Sequence, residues 1–239
     1  MKTIVLKFSG PLQSWGIGSH FENRDTSKYP TKSAVIGLIA GALGYRRDET
    51  AKIQELNNLS FGVRVEQIGT ILRDFHIAKS QKQSYVTNRY YLQDAVFAVM
   101  ISHKDSNKID AIVKSLEQPD FAPYLGRRSV PVNSDYIQDV LEDDLLSVIK
   151  SYPWLASEWY QKKFMREEKA DEFIELDALV DGDLIDDGTP SIYNRDKVES
   201  FAFSYRNHQF RAVKAIRVKI PVEAIEEATE HDAFQSIGG

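Results

Sequence analysis

The sequence predicts an α+β fold with a βαββαβ core, and three observations support this prediction. The first ten residues alternate apolar and polar side chains, with Ile4, Leu6 and Phe8 on one side, as is typical of a half-buried strand. Residues 60–68 and 89–101 also have the composition of strands, and the second becomes apolar on both faces, as expected of a central strand. Helical periodicity follows the first and the third of these strands. This order matches most of a ferredoxin-like fold, the fold of RNA-recognition motifs, if a later segment supplies the fourth strand.

The first helix is predicted over residues 29–44, YPTKSAVIGLIAGALG. Pro30 and Thr31 are start signals, an apolar stripe follows them, and Gly44 is a stop signal. One flank of this helix carries only small residues, which predicts close packing on the sheet: Gly37, Ala40 and Gly41. A second, short helix is predicted from apolar residues at i, i+3, i+4 and i+7: Ile109, Ile112, Val113 and Leu116.

The rest of the chain is predicted to form an additional C-terminal α/β region. Residues 133–198 are interpreted as an acidic, largely helical insertion, with one helix through Ile137, Val140, Leu141, Leu145 and Val148 and another over residues 154–170. Residues 199–239 are predicted to supply strands that pack back on the core. The fourth core strand is expected among them, at residues 199–206 or 211–220.

The charge distribution separates the chain into a basic and an acidic portion. Residues 1–132 carry 18 Lys and Arg against 12 Asp and Glu, whereas residues 133–200 carry 7 against 18. This asymmetry indicates that the first portion binds a polyanion while the second faces solvent or a protein partner. The acidic portion can equally serve only to keep the chain soluble.

Composition excludes several classes of protein. The chain has no cysteine, which removes disulfide scaffolds, cysteine zinc sites and thiol catalysis. The first ten residues lack the apolar stretch of a signal peptide, and the longest apolar run, residues 34–45, is too short to cross a bilayer. We therefore expect a cytoplasmic protein with no membrane contact. No cofactor motif is present, and the five histidines are scattered, so neither a cofactor nor a metal site is predicted.

The PTKS stretch at the start of the first helix is a candidate phosphate site. It lacks the glycine before Lys32 that a P-loop requires, so nucleotide hydrolysis is not predicted. A helix N-terminus that carries Thr31, Lys32 and Ser33 still offers amide donors, hydroxyls and a positive dipole end to a phosphate oxygen. Ordinary capping by Thr31 or Ser33 explains the same residues.

Residues 75–93, FHIAKSQKQSYVTNRYYLQ, contain no acidic side chain. The segment is too polar and too long for a tight turn, which predicts a protruding hairpin or loop between two strands. Cations interleaved with aromatic rings suit a single-stranded nucleic acid, and the candidate binding residues are His76, Lys79, Lys82, Tyr85 and Arg89. A solvated hairpin with tyrosines packed on the sheet is the alternative.

The stretch APYLGRRSVP holds a second basic candidate. Gly126 permits a backbone conformation that other residues rarely adopt, and Pro131 restricts the chain that follows the two arginines. Arg127 and Arg128 therefore lose little conformational entropy when they bind a ligand. Their guanidinium groups suit bidentate contacts to phosphates. They can also bridge acidic neighbours.

Five segments together make the sequence resemble a known family. GPLQSWG, YPTKSAVIGLIAGALG, RDFH, YYLQDAVFAV and PYLGRRSVP are similar, in order and spacing, to segments of the fifth CRISPR-associated family in its subtype I-E form. The match runs to about residue 132, and FAFSYRNHQFRAVKAIRV resembles the last strands more loosely. The chain departs from the pattern at Val130, where the family has cysteine, and in its longer acidic stretch.

The resemblance implies a non-catalytic subunit of the Cascade complex. Such subunits have a modified RNA-recognition fold with a β-hairpin thumb, hold the 5′ handle of the crRNA and cap the backbone subunits. They also help to seat the large subunit that recognises the PAM, so target DNA is reached through the complex in antiviral defence. By analogy, residues 1–132 form the RNA-recognition core, and the thumb lies at about residues 70–93, around the loop from Lys79 to Arg89. A set of side chains would contact the handle: Lys28, Thr31, Lys32, Ser33, Arg46, Arg127 and Arg128.

The sequence also allows two other functions. A subtype I-C relative cuts repeat RNA without a metal, and His76 with Lys79 or Tyr85 could activate a ribose 2′-hydroxyl in the same way. The second is a small-molecule enzyme that binds an anionic metabolite at the helix start near Thr31.

Overall fold

A computed structural model describes residues 1–16, 23–80, 83–168 and 172–221. The strands are β1 (Lys2–Ser9), β2 (Asn23–Arg24), β3 (Ser60–Gln67), β4 (Thr70–Lys79), β5 (Ser84–Gln93), β6 (Val96–His103), β7 (Ile137–Leu141), β8 (Phe173–Asp181), β9 (Ile192–Phe201) and β10 (Arg206–Pro221). The helices are α1 (Lys32–Ala42), α2 (Thr50–Glu55), α3 (Ser106–Glu117), α4 (Leu145–Ser151) and α5 (Glu158–Glu168). None of the helices in these described ranges is long and apolar enough to cross a membrane.

The fold is a mixed α+β fold dominated by one seven-stranded sheet. Its strand order is β7-β1-β6-β3-β8-β10-β9, and every neighbouring pair is antiparallel. The strands β7, β1, β6 and β3 therefore lie side by side, with α1 between β1 and β3 in sequence and α3 between β6 and β7. The pairing of β3 with β8 joins these four strands to the three later ones.

Both faces of the large sheet are covered. On one face, the alternate residues of β1 and β6 pack against α1 and α3 in the largest hydrophobic cluster, which includes Phe8, Phe97 and Ile109. On the other face, Val5 and Met100 pack against α4. The apolar character of both faces of β6 follows from this arrangement, as the sequence predicts for a central strand.

The predicted strand at residues 89–101 is divided in two by Asp94. This residue has a positive φ of 57°, so the extended chain is interrupted there and β5 and β6 belong to different sheets. The sequence pattern did not show this break, because both parts have strand composition.

The acidic segment contains more strand than predicted. Residues 137–141 form the edge strand β7 instead of the start of a helix, and β8 and part of β9 also fall in this segment. Of the residues assigned to the first helix, Leu145 and Val148 lie in α4, which begins after the cap Asp144. Since β7 pairs with β1, it occupies the place for which residues 199–206 or 211–220 were predicted.

A second sheet of three strands, in the order β2-β5-β4, is formed mainly by a β4–β5 hairpin. Opposite residues of the hairpin share a face. We call one side the apolar face, defined by Ile71, Phe75, Ile77 and Val86, and the other the polar face, defined by Asp74, His76, Tyr85 and Arg89. The hairpin is mostly exposed away from its base, where Tyr91 and Leu92 are buried.

Candidate nucleic-acid interface

The polar face of the hairpin places cationic groups around one carboxylate. Asp74 lies directly opposite Arg89 in the β4–β5 register. His76 Nε2 is 2.9 Å from Asp74 Oδ2, and Arg127 Nη1 is 3.6 Å from the same oxygen. Two segments that the sequence predicted separately, the basic stretch and the Arg127 loop, are therefore in contact.

The loop that carries Arg127 is held rigidly. Gly126 has a φ of +94°, and a Cβ there would lie 2.3 Å from the backbone oxygen of Ser14. The backbone N–H of Ser14 donates to the carbonyl of Leu125 at 2.9 Å, which pins the loop to the GPLQSWG segment. The Arg127 guanidinium lies 5.2 Å from the centre of the Tyr91 ring, whereas Arg128 is exposed.

Arg24 is a further cationic residue at this place that the sequence interpretation missed. It belongs to β2, which pairs with β5 in parallel, and its register partner is Arg89. Arg24 is exposed, so it adds positive charge beside the polar face. No local pattern in the sequence indicates this pairing, because it joins residues more than sixty positions apart.

The GPLQSWG segment is fixed by side-chain, ring and backbone contacts. The Gln13 side-chain amide donates to the Ala95 carbonyl at 2.6 Å, and the Trp15 ring stacks on Phe8 at 5.6 Å. The N–H of Ser27 donates to the Trp15 carbonyl, which fixes the chain just before Lys28. Lys28 itself is exposed.

The start of α1 already holds an anion from the protein itself. Asp196 Oδ2 accepts from the Lys32 backbone N–H at 2.9 Å, and Thr31 caps the helix by accepting from Ala34. The Lys32 ammonium is buried and lies 2.9 Å from Asp181 Oδ2. Burial lowers the pKa of Lys32, and the attraction of Asp181 opposes this effect.

This arrangement gives Lys32 a structural role. Arg211, which is half-buried, pairs with the buried Asp181 and Asp196, so four charges join α1 to the strands β8, β9 and β10. A phosphate contact by Lys32 requires an exposed ammonium, and here the carboxylates take the place of the phosphate. We therefore leave Lys32 out of the proposed RNA contacts. The Ser33 hydroxyl lies 3.3 Å from that of Thr31 and is half-buried.

Comparison with known proteins identifies the family. The profile described as CRISPR-associated protein (Cas5) matches residues 3–214. The chain belongs to the Cas5 family of CRISPR-associated proteins.

Two solved structures and one curated relative are similar to this Cas5 chain. The "CRISPR system Cascade subunit CasD" of Escherichia coli (strain K12) is 32% identical over an alignment of 149 residues, which covers 54% of this chain and 66% of the relative, just under two thirds of its length. A chain of a "CRISPR RNA-guided surveillance complex" superposes with a TM-score of 0.74 at 25% identity, covering 92% of this chain and 91% of that one. A "Crystal structure of Cas protein" gives a TM-score of 0.61 at 28% identity, covering 90% and 94%.

The remaining predicted residues of the Cas5 chain do not all join the cluster around Asp74. Lys79 and Tyr85 are exposed toward the hairpin tip, where Tyr85 donates to Gln83. Arg46 is exposed in the loop after α1, and its backbone N–H donates to Glu49 at 2.7 Å. Lys82 lies outside the described residues.

The Cas5 site combines several cationic side chains with one carboxylate, Asp74. In the described part of the chain, no three His, Asp or Glu side chains are placed to hold a metal ion. Arg89 has a buried Nε without a hydrogen-bond partner among the described residues. A buried donor without an acceptor is costly, and an anionic ligand that draws this guanidinium outward would relieve the cost.

Proposed function

We propose that this protein is a non-catalytic subunit of a Cascade complex that binds the 5′ handle of crRNA and supports crRNA-guided DNA targeting. The observation that carries the proposal is the convergence of Arg24, Arg89 and Arg127 from three separate segments around Asp74. One carboxylate cannot balance these cations together with the exposed Arg128, so the surface attracts a polyanion. Family membership and the likeness to a surveillance-complex chain support RNA as that polyanion.

The fold supports the same proposal. We infer a ferredoxin-like βαββαβ core, and the order β7-β1-β6-β3 with α1 and α3 as the connecting helices supports this inference. We assign the β4–β5 hairpin as the thumb, because it leaves the large sheet between the second and third core strands and is mostly exposed away from its base.

We divide the RNA contacts into phosphate contacts and ring contacts. Phosphate contacts are assigned to the cations nearest the polar face, namely Arg24, Lys28, Arg89, Arg127 and Arg128, with Lys79 further along the hairpin. Tyr85 is assigned to base stacking, since its ring is exposed on the polar face. His76 lies on the same face, and a ring N–H of its imidazole can donate to a phosphate.

The assembly partners follow from the same proposal. We assign the protein to the end of the Cascade backbone, next to the large PAM-recognising subunit, with target DNA reached through the complex in the cytoplasm. The exposed rings outside the hairpin, among them Trp159 and Phe203, leave surface for such protein contacts.

The experiment that tests RNA binding compares two double substitutions of equal charge. Arg127→Ala with Arg128→Ala removes two proposed phosphate contacts. Arg217→Ala with Lys219→Ala removes two exposed cations of β10 that pair with Asp177 and Glu175. Affinity of the purified subunit for a handle RNA is measured as a function of salt concentration.

We expect the first pair to flatten the log–log salt dependence by about 1.4, or about 0.7 for each lost phosphate contact. The control pair should leave the slope unchanged. An equal slope for both variants, or assembly of the complex on guide RNA unaltered by the first pair, would refute the assigned contacts.

One observation favours the alternative of a metal-independent endoribonuclease. His76 and Asp74 form a hydrogen-bonded pair on the polar face, and such a pair can orient an imidazole for general-base catalysis. Incubation of the isolated subunit with repeat RNA distinguishes the two functions. We expect no cleavage; specific cuts that disappear in His76→Ala would establish the nuclease.

A further inference from the structure

The apolar face of the hairpin is an uncovered hydrophobic surface. Ile71, Phe75, Ile77 and Val86 are 54%, 65%, 62% and 56% exposed, respectively. Their strand β4 is also an edge strand, because in the part of the chain that the structure describes it pairs only with β5. A long edge strand with exposed apolar side chains favours association, and native proteins usually cover such edges.

The charge of this face specifies what can cover it. Arg73 and Lys79 lie on the same side of the hairpin as Phe75, and no acidic residue does. The Arg73 guanidinium donates to the neutral side-chain oxygen of Asn88 at 3.0 and 3.1 Å, so this contact leaves its charge uncompensated. A segment that combines apolar and acidic residues would complement the face.

Residues 222–239 of the same chain have that composition. Their sequence, VEAIEEATEHDAFQSIGG, contains five acidic residues and neither Lys nor Arg. It also contains several large apolar side chains: Val222, Ile225, Phe234 and Ile237.

The strand register brings the beginning of this segment close to the hairpin. Pro221 pairs with Phe173 at the start of β8, and β8 runs antiparallel to β3, with Arg64 opposite Ala178. The chain therefore leaves β10 at the same end of the large sheet at which β3 ends and leads into β4. The strands β10 and β3 are separated by β8 alone, a distance of roughly 10 Å.

The length of the segment is sufficient to cover the hairpin. Eighteen residues extend to about 60 Å at most. A ten-residue strand such as β4 is only about 33 Å long. The segment can thus reach the apolar face even if it is not fully extended.

We propose that residues 222–239 dock on the apolar face of the hairpin in the free subunit. Glu226 and Glu227 contribute to the attraction toward Arg73 and Lys79, while the apolar residues of the segment cover Phe75 and its neighbours. Apart from Lys79, which is also a proposed phosphate contact, the covered residues lie on the surface opposite to the proposed RNA contacts of the polar face. The docking is tested on the free subunit without RNA, so each proposal can fail without the other.

The absence of cysteine allows a direct test by thiol labelling of the full-length chain. Val86→Cys places a single thiol on the apolar face and keeps a small apolar side chain there. Ala78→Cys places one on the opposite face at an exposed position of β4 and serves as the matched control. The rate of maleimide modification is measured for each variant with and without the charge reversals Glu226→Lys and Glu227→Lys.

If the segment is docked about 90% of the time, labelling of Val86→Cys is slowed about tenfold. We expect the charge reversals, and also 0.5 M salt at about a 4 Å screening length, to remove this protection. The Ala78→Cys rate should not change. Protection of Val86→Cys that persists after the charge reversals would overturn the proposal. Equal labelling rates of Val86→Cys and Ala78→Cys without the charge reversals would also overturn it. Protection that rises with protein concentration would also overturn it, because a second copy would then cover the face.

Discussion

At the scale of single residues, Gly126 determines where the two arginines of its loop lie. Its φ of +94° favours glycine, and an added Cβ would collide with the backbone oxygen of Ser14 at 2.3 Å. We expect Gly126→Ala to lower the free energy of unfolding by about 3 kcal/mol. Urea denaturation measures this change.

Gly188→Ala is the control for the Gly126 substitution. Gly188 has a similar positive φ of +73°, but an added Cβ meets nothing within 4 Å. Its substitution by alanine should lower the free energy of unfolding only by the backbone strain, about 1 kcal/mol. Equal losses in the two variants would mean that the contact with Ser14 has no part in fixing the loop.

His208 provides a pH prediction. Burial lowers the pKa of its imidazole, and the nearby Arg206 and Arg195 lower it further. Protonation therefore favours the unfolded chain, in which the pKa is about 6.5. The contribution of the neutral imidazole to the free energy of unfolding is fully present above that pH. It is lost as the pH falls through the lower pKa of the folded state.

We test this by comparing the parent chain with His208→Gln between pH 7.5 and 5. The parent should lose more stability across this range than the variant, which has no titrating group at the position. Parallel curves in urea denaturation would contradict the assignment.

The sequence predicted the local properties of residues better than their distant partners. The need for glycine at position 126 was visible from the sequence, because the turn and the following proline are local. The burial of Lys32 in an ion pair was not visible from the sequence, since its partner Asp181 lies 149 positions away. Whether the predicted cations contact RNA stays a prediction, and the structure shows only which of them are exposed.

At the scale of elements, two strands that the sequence interpretation did not predict, β7 and β8, fall in the segment interpreted as largely helical. In β7, Ile137, Val140 and Leu141 fit a helical spacing, and pairing with β1 overrides this local preference. In β8, the alternation that buries Ile174, Leu176, Ala178 and Val180 was present in the sequence. The β8 signal was thus available, whereas β7 depended on the neighbouring strand.

The link between α1 and the later strands yields a second stability prediction. Asp196 accepts from the Lys32 backbone N–H and pairs with the guanidinium of Arg211. We expect Asp196→Ala to lower the free energy of unfolding by about 3 kcal/mol, because it leaves a buried cation with one fewer partner. The control Asp177→Ala breaks the exposed pair with Arg217 and should cost less than about 1 kcal/mol. Similar losses in both variants would show that the buried network adds little.

At the scale of the whole molecule, the acidic and basic portions are parts of one sheet. Two acidic residues of the later portion neutralise Lys32 and Arg211 in the interior, while the arginines around Asp74 keep an excess of positive charge at the surface. The segment charges of the sequence predict a polyanion partner, and this partner stays a prediction. They could not show which cations are used internally, because that depends on pairing across the sheet.

This continuity predicts that residues 1–132 cannot fold alone. Without the later segments, β1 loses its partner β7, β3 loses β8, and the Lys32 ammonium loses Asp181. The free-energy cost of two open strand edges and an unpaired charge is expected to exceed the stability of a small domain, which is about 5–15 kcal/mol. We expect the fragment 1–132 to show no cooperative transition in urea, whereas a fragment 1–221, which retains every strand of the large sheet, should show one. A cooperative transition of the shorter fragment would mean that the five core elements within residues 1–132 are self-sufficient and that β7 and β8 only extend them.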